Sequence, residues 1–211
     1  MGIPSFDYDT LNEFGQTDYK VDLFKEIDNA FVGADSVFDR ISSDDLIFAF
    51  FPCTKFEDQA LLGYRCDRWQ LKNYSILQKL SYVLKQHEEL HRNYSAITEL
   101  AYVCVKKNVP LIIENPYSAQ HYLQRYWCLK PQIVDMDRRE DGDYYRKPTQ
   151  YWFIGCEPKQ NIVFEPIDYV ETESAVQRVC KKDGISREVR RSLIHPQYAN
   201  RFIRKYILEG E

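Results

Sequence analysis

Short apolar runs alternate along this chain with longer stretches of helical periodicity, and this alternation limits the possible folds more than any other feature. The apolar runs are rich in β-branched and aromatic residues and have the length of strands: 46–51, 109–113, 132–135 and 150–154. The pattern predicts an α/β domain with a mostly parallel sheet. We find no internal repeat and no linker-like stretch.

The segment from Trp69 to Lys107 separates the first two predicted strands, and its apolar residues recur at helical spacing. Two helices fit this segment, with a break near Asn93 to Ser95, because Asn and Ser are common capping residues. The stretch from Ser186 to Leu208 is also predicted to be helical. We expect an interruption at Pro196, since proline cannot continue the backbone hydrogen bonds of a helix.

The chain has 211 residues, of which 44% are hydrophobic, so it can bury one sizeable core. We expect an α/β domain over residues 1–177, with a basic helical segment, 178–211, packed on it. The formal net charge is −4, yet residues 178–205 hold nine Lys or Arg and only two acids, a local charge of +7. Such a segment suits contact with phosphates, although a solvated helix face would have the same composition.

Six cysteines are scattered without a Cys-x-x-Cys pair, which favours reduced thiols over a zinc knuckle or a disulfide framework. No apolar run approaches the roughly 20 residues that span a bilayer. The first residues, 1–7, have neither the basic nor the apolar region of a secretory signal. We therefore expect a cytoplasmic protein with no membrane partner.

The motif Phe51-Pro52-Cys53-Thr54 directly follows the most apolar predicted strand. Residues just past the carboxyl ends of strands line the ligand crevice of an open α/β sheet. A partly exposed thiolate with positive neighbours is a good nucleophile toward an electron-poor ring carbon. The alternative is a small residue buried under a loop.

Glu114 comes at the end of the next apolar run, Leu111-Ile112-Ile113, and is followed by Asn115-Pro116. A carboxyl that is partly shielded from water favours its protonated form, so it can donate to a ring nitrogen during attack by a nucleophile. A helix cap or an exposed loop acid would explain Glu114 equally.

A third stretch, 142–152, carries the cations Arg146 and Lys147 among several aromatic residues and leads into the last predicted strand. This mixture suits an anionic ligand that stacks, such as a nucleotide. An exposed hairpin with aromatic packing would look the same.

Taken in order and spacing, Pro52-Cys53, Glu114-Asn115-Pro116 and residues 142–149 resemble the cytosine-5 DNA methyltransferase family, especially its small phage and prophage members. The resemblance covers most of the chain. It implies a Rossmann-like fold that uses S-adenosylmethionine (SAM) to methylate C5 of cytosine in DNA, with RNA not excluded. It also implies that Cys53 adds to C6 while Glu114 binds and protonates N3.

The same resemblance assigns further residues. It implies that Arg146 and Lys147 are supporting cations and that Thr149 contacts nucleic acid. Residues 190–199 look like the closing segment of the small members, which makes Arg190 and Arg191 candidate DNA contacts. Residues 6–9 and 21–24 are loosely similar to the cofactor-side motifs, so the implied SAM-binding residues are the following: Asp7, Asp9, Asp22 and Pro52.

Two parts of the family plan are missing. None of the eight glycines forms a Gly-x-Gly pair, so the first strand and its glycine-rich cofactor turn are absent, and we expect an N-terminally incomplete fold. The short link between the third motif and the basic segment leaves no room for a target-recognition domain. A gene fragment, an enzyme completed by a second chain, and a non-catalytic remnant that binds nucleic acid all fit these gaps.

Two competing motifs point to other chemistry. His87-Glu88-Glu89-Leu90-His91 has the spacing of a zinc hydrolase helix. A third ligand is needed, and Glu114 would have to come from a strand end, so a solvated helix face is the simpler interpretation and we predict no metal site. Asn115-Pro116-Tyr117 is similar to the Asn-Pro-Pro-Tyr site of amino-methyltransferases but lacks one proline, and Cys53 would then have no role.

Overall fold

The computed structural model describes residues 4–10, 15, 17–168 and 193–209, which form a mixed α/β structure. Its elements follow one another along the chain as β1 (Tyr8–Asp9), β2 (Tyr19–Lys20), α1 (Leu23–Val32), β3 (Ile47–Phe50), α2 (Asp58–Tyr64), α3 (Ile76–Lys107), β4 (Leu111–Pro116), α4 (Tyr122–Tyr126), β5 (Ile133–Asp135), β6 (Thr149–Ile154) and α5 (Pro196–Tyr206). Three short 3-10 helices lie at Val37–Arg40, Trp69–Leu71 and Arg138–Asp141. None of the described helices is both long and apolar enough to cross a membrane.

The main sheet has four strands in the order β3-β4-β6-β5, and all four predicted strands are confirmed with shifted ends. The predicted mostly parallel sheet is wrong. Only β3 and β4 pair in parallel, whereas β6 runs antiparallel to both of its neighbours. The link between β5 and β6 contains only the 3-10 helix Arg138–Asp141, so no helix crosses the sheet to bring β6 back in the same direction. Strands β1 and β2 form a separate parallel pair.

The predicted break near Asn93 is also wrong, because α3 is one helix of 32 residues. The side chain of Asn93 donates to the carbonyl of Glu89 at 2.7 Å, and Thr98 donates to the carbonyl of Tyr94 at 2.8 Å. These polar side chains bond back onto the preceding turn and leave the helix intact. The helix instead begins with the capping box of Ser75 and ends at Asn108.

The core lies on both faces of the sheet, as the alternation of β4 requires. Leu111 and Ile113 belong to a cluster with the C-terminal half of α3, whereas Ile112 packs with Tyr198 and Phe202 of α5 on the other face. The C-terminal helix therefore forms part of the core around the sheet.

Helix α5 begins at Pro196, where the missing N–H of proline costs nothing. The predicted interruption at Pro196 is confirmed for the described residues, since residues 193–195, directly before it, are not helical. The predicted helical residues 186–192 and the predicted boundary between 177 and 178 lie outside the described residues.

Candidate functional site

The parallel pairing of β3 and β4 brings Cys53 and Glu114 to the same edge of the sheet. Phe50, the last residue of β3, is in register with Glu114, so the loop that carries Cys53 leaves β3 beside Glu114. The carbonyl of Cys53 accepts hydrogen bonds from the backbone N–H of Phe56 at 2.8 Å and of Glu57 at 3.1 Å. This tight turn leads into α2 and leaves Cys53 partly buried and Pro52 exposed.

Asn115 ties the Cys53 loop to β4. Its side-chain amide donates to the carbonyl of Phe51 at 3.2 Å, so its oxygen is free to accept from Nε2 of His121 at 3.0 Å. The His121 ring therefore carries its proton on Nε2, and Nδ1 has no hydrogen-bond partner among the described residues. Both side chains are fully buried, and burial lowers the pKa of His121 to about 4. The loop is thus held by a neutral, buried hydrogen-bond chain.

The Glu114 carboxylate is only 5% exposed but has cations on one side. Its Oε1 lies 3.4 Å from Nζ of Lys147 and 3.8 Å from Nη1 of Arg138. Among the described residues this oxygen is held by the two cations and accepts no hydrogen bond. It can accept a donor from a bound molecule when the carboxyl group is ionised, or donate to an acceptor when it is protonated.

Arg138 is a fully buried cation that sequence reasoning missed. Its guanidinium contacts the Asp143 carboxylate and lies over the Tyr198 ring at 4.5 Å. Asp143 also accepts from the backbone N–H of His195 at 2.8 Å, which ties the start of α5 to the site. In the sequence, Arg138 is one of five consecutive charged residues, and nothing distinguishes it from its exposed neighbour Arg139.

The Cys53 thiol is protonated in this arrangement. Burial raises its pKa to about 12, and the neighbouring Glu57 carboxylate adds to this shift as a hydrogen-bond acceptor and as a negative charge. Lys147 has the opposite effect, because its positive charge favours the thiolate, whereas Glu114 again raises the pKa. Exposure of the thiol to water, movement of Glu57 away from it, or approach of positive charge would each favour the thiolate.

The other predicted target-side residues are placed as follows. Lys147 lies beside Glu114, whereas the exposed Arg146 has its Nε 3.7 Å from the carboxylate of Asp137. Thr149 is fully buried and its hydroxyl donates to the carbonyl of Lys147 at 2.7 Å, so it positions the segment that carries Lys147. This burial argues against a direct contact between Thr149 and nucleic acid. Arg190 and Arg191 lie outside the described residues.

The acids predicted to bind SAM make local contacts. Asp22 caps α1, where its side chain accepts from the N–H of Lys25 at 3.3 Å. Asp7 and Asp9 lie at the β1–β2 pair, where burial and the charges of Asp9 and Asp18 raise the pKa of Asp7. A cap already in use and a cluster of mutually repelling acids do not fit a SAM cradle, and β1–β2 is separate from the sheet that carries Cys53.

The helix that carries the His-Glu-x-x-His motif does not complete a metal site in the part of the chain described. His87 and His91 are exposed on α3, and the ring of His87 stacks on Tyr64 with centroids 4.9 Å apart. Among the described residues, no group of three or more His, Cys, Asp or Glu side chains is placed to hold a metal ion.

No protein-family model, no curated protein and no solved structure matches this chain.

Proposed function

We propose that this chain is the target-base half of a cytosine-5 DNA methyltransferase with a Rossmann-like fold. The observation that carries the proposal is the buried Glu114 carboxylate, whose Oε1 makes no hydrogen bond to the described residues, beside the loop that carries Cys53. A thiol and a buried acid on neighbouring parallel strands can address two atoms of one ring. In the reaction proposed, SAM would supply the methyl group.

The chemistry assigned to the chain is activation of cytosine. The Cys53 thiolate forms a bond to C6 while Glu114 binds and protonates N3, which makes C5 a nucleophile. C5 then forms a bond to an electrophile, which is a proton from water in the exchange reaction and would be the methyl group of SAM in methylation. Loss of the original C5 proton and breakage of the S–C6 bond, with return of the N3 proton to Glu114, then release Cys53 as the thiolate. Lys147 lies beside Glu114 and favours the thiolate. The base must leave a duplex to reach this edge, so single-stranded or flipped cytosine is the expected substrate.

The cofactor half is expected to come from a second chain. The acids predicted to bind SAM do not fit a cradle in their present contacts, and no Gly-x-Gly pair exists in the sequence. In the main sheet described, β3 is an edge strand, which leaves one side open for further strands. A complementary chain could pair there and place a cofactor near Pro52.

A second candidate function is a remnant that binds nucleic acid without reacting. The raised pKa of Cys53, caused by burial and Glu57, favours this alternative because the thiol is unreactive. The two candidates differ in whether Cys53 ever adds to the ring.

Exchange of the C5 hydrogen separates the two candidates without any cofactor. Thiolate addition at C6 allows C5 to gain a proton from water and lose its own, so tritium leaves [5-³H]cytosine in single-stranded DNA. We expect the wild-type chain to release tritium, and Cys53→Ser and Glu114→Gln to lose at least about 100-fold in rate. Cys156→Ser, at another partly buried cysteine, is the matched control and should keep the rate.

A folded wild-type chain that binds the oligonucleotide but releases no tritium would support the remnant and refute the catalytic assignment. Release that survives Cys53→Ser would refute the role of this thiol. Circular dichroism of each variant checks that the fold is retained.

A further inference from the structure

The N-terminal half of α3 carries an apolar stripe that the described residues leave uncovered. Ile76, Leu77, Leu80 and Leu84, here called the α3 stripe, are 78%, 74%, 59% and 72% exposed. Their spacing of three and four residues places them along one side of the helix. A contiguous exposed apolar patch of this kind usually indicates a site of interaction with another molecule.

A different face of the same half-helix holds it in the domain. Lys55 donates to the side chain of Gln86 at 2.9 Å, and the thiol of Cys66 lies 3.9 Å from the carbonyl of Lys79. The region around α2 therefore packs on the side of α3 that carries residues 79 and 86. Leu77 and Leu84 lie almost opposite this contact on the helix. Ile76 and Leu80 lie nearer to it, on the side where His87 stacks on Tyr64, and are still exposed.

The sequence around the stripe is self-complementary when two copies run in opposite directions. At intervals of four residues it reads Lys72, Ile76, Leu80, Leu84 and Glu88. Antiparallel pairing centred on Leu80 places Ile76 of one copy opposite Leu84 of the other. The same pairing directs Lys72, in the turn before the helix, toward Glu88 of the second copy.

We propose that α3 pairs antiparallel with α3 of a second copy of this chain, with Leu80 on the twofold axis. A twofold interface joins the same patch on both subunits, and the charge order of this patch favours that geometry over a parallel one. In a parallel pair, Lys72 would face Lys72 and Glu88 would face Glu88.

The size of the stripe agrees with a small dimer interface. Its four side chains expose about 300 Å² of apolar surface per copy, or about 600 Å² in a pair. A specific interface of the smallest common size buries about 1,200 Å², of which somewhat more than half is nonpolar. The stripe therefore supplies the apolar centre, and polar side chains around it would form the rim. A dissociation constant of about micromolar is expected.

Sedimentation equilibrium of the full chain between about 1 and 100 µM tests this proposal. The wild type should change from monomer to dimer over that range, and Leu80→Glu should stay monomeric because it places two carboxylates on the axis. Val32→Glu, at an equally exposed aliphatic residue that ends α1, is the matched control and should still dimerise. A wild type that is monomeric at 100 µM, or a Leu80→Glu variant that dimerises normally, would overturn the proposal.

A charge swap tests the antiparallel direction. Glu88→Lys should weaken dimerisation about threefold to tenfold, and Lys72→Glu in the same chain should restore it. Failure of the double variant to recover would contradict antiparallel pairing about Leu80. These measurements do not depend on the proposed catalytic function.

Discussion

His121 should make the stability of this protein fall as the pH is lowered through the acidic range. Its imidazole is buried and, among the described residues, hydrogen-bonds only to Asn115, and burial lowers its pKa from 6.5 to about 4. Below pH 6.5 His121 becomes protonated in the unfolded chain, whereas in the folded chain it stays neutral until about pH 4. The contribution of neutral His121 to the free energy of unfolding is therefore complete above pH 6.5 and is lost as the pH falls toward 4.

The size of this effect follows from the difference between the two pKa values. A shift of one pKa unit corresponds to about 1.4 kcal/mol, so the free energy of unfolding should fall by about 3 kcal/mol between pH 7.5 and pH 4. At pH 5 about 2 kcal/mol of this is already lost. Carboxylates add their own pH dependence, so the relevant quantity is the difference between two proteins that share them.

The assay is urea unfolding of the wild type and of His121→Gln at pH 7.5, 6 and 5. Gln can still donate to the Asn115 oxygen but does not titrate, so its stability should fall by about 2 kcal/mol less than that of the wild type between pH 7.5 and pH 5. His91→Gln, at an exposed position on α3, is the control and should follow the wild type. A His121→Gln variant with the full wild-type pH dependence would refute the reasoning.

Three further predictions follow from the structure and the sequence. Arg138→Met leaves the Asp143 carboxylate buried without its cation and should reduce the free energy of unfolding by about 3–5 kcal/mol. Asp143→Asn in the same chain should recover part of this loss. Losses that add in the double variant would contradict the pairing. Gly142 has a φ of +88°, so Gly142→Ala should cost about 1–2 kcal/mol in thermal unfolding, whereas an unchanged melting temperature would show that the turn tolerates a side chain. Replacing Arg190 and Arg191 with Ala should weaken DNA binding and lower the slope of log K against log salt by about 1–2, and an unchanged slope would mean that neither faces phosphate.

The four main strands could be predicted because each is an apolar run of strand length with a clear end. Strand direction could not, since the inward and outward alternation of β6 is the same whichever way it runs. The continuity of α3 was missed because Asn93 was interpreted as a cap, whereas its side chain bonds to Glu89 within the helix. The preference of Asn for a helix cap is outweighed here by the apolar face of α3, which continues through this region into the core.

The two central site residues could be located by one rule, that functional residues follow the carboxyl ends of neighbouring strands. The structure confirms the rule for Cys53, which follows the end of β3. Glu114 instead lies within β4, level with the last residue of β3, so its predicted position at a strand end is wrong. The supporting groups were not predictable in the same way. His121 acts through Asn115, and Arg138 is buried only because the segment before β6 folds under α5. Such roles depend on tertiary contacts that leave no local pattern.

The central claim is that the Cys53 thiolate adds to the ring of a cytosine held by Glu114. The most direct test is intact-protein mass spectrometry after incubation with a single-stranded oligonucleotide that carries 2-pyrimidinone, an analogue with a more electrophilic C6, in place of cytosine. The account predicts one covalent adduct, mapped by peptide analysis to Cys53 and strongly reduced in Glu114→Gln. A bound oligonucleotide with no adduct, or an adduct spread over other cysteines, would contradict it.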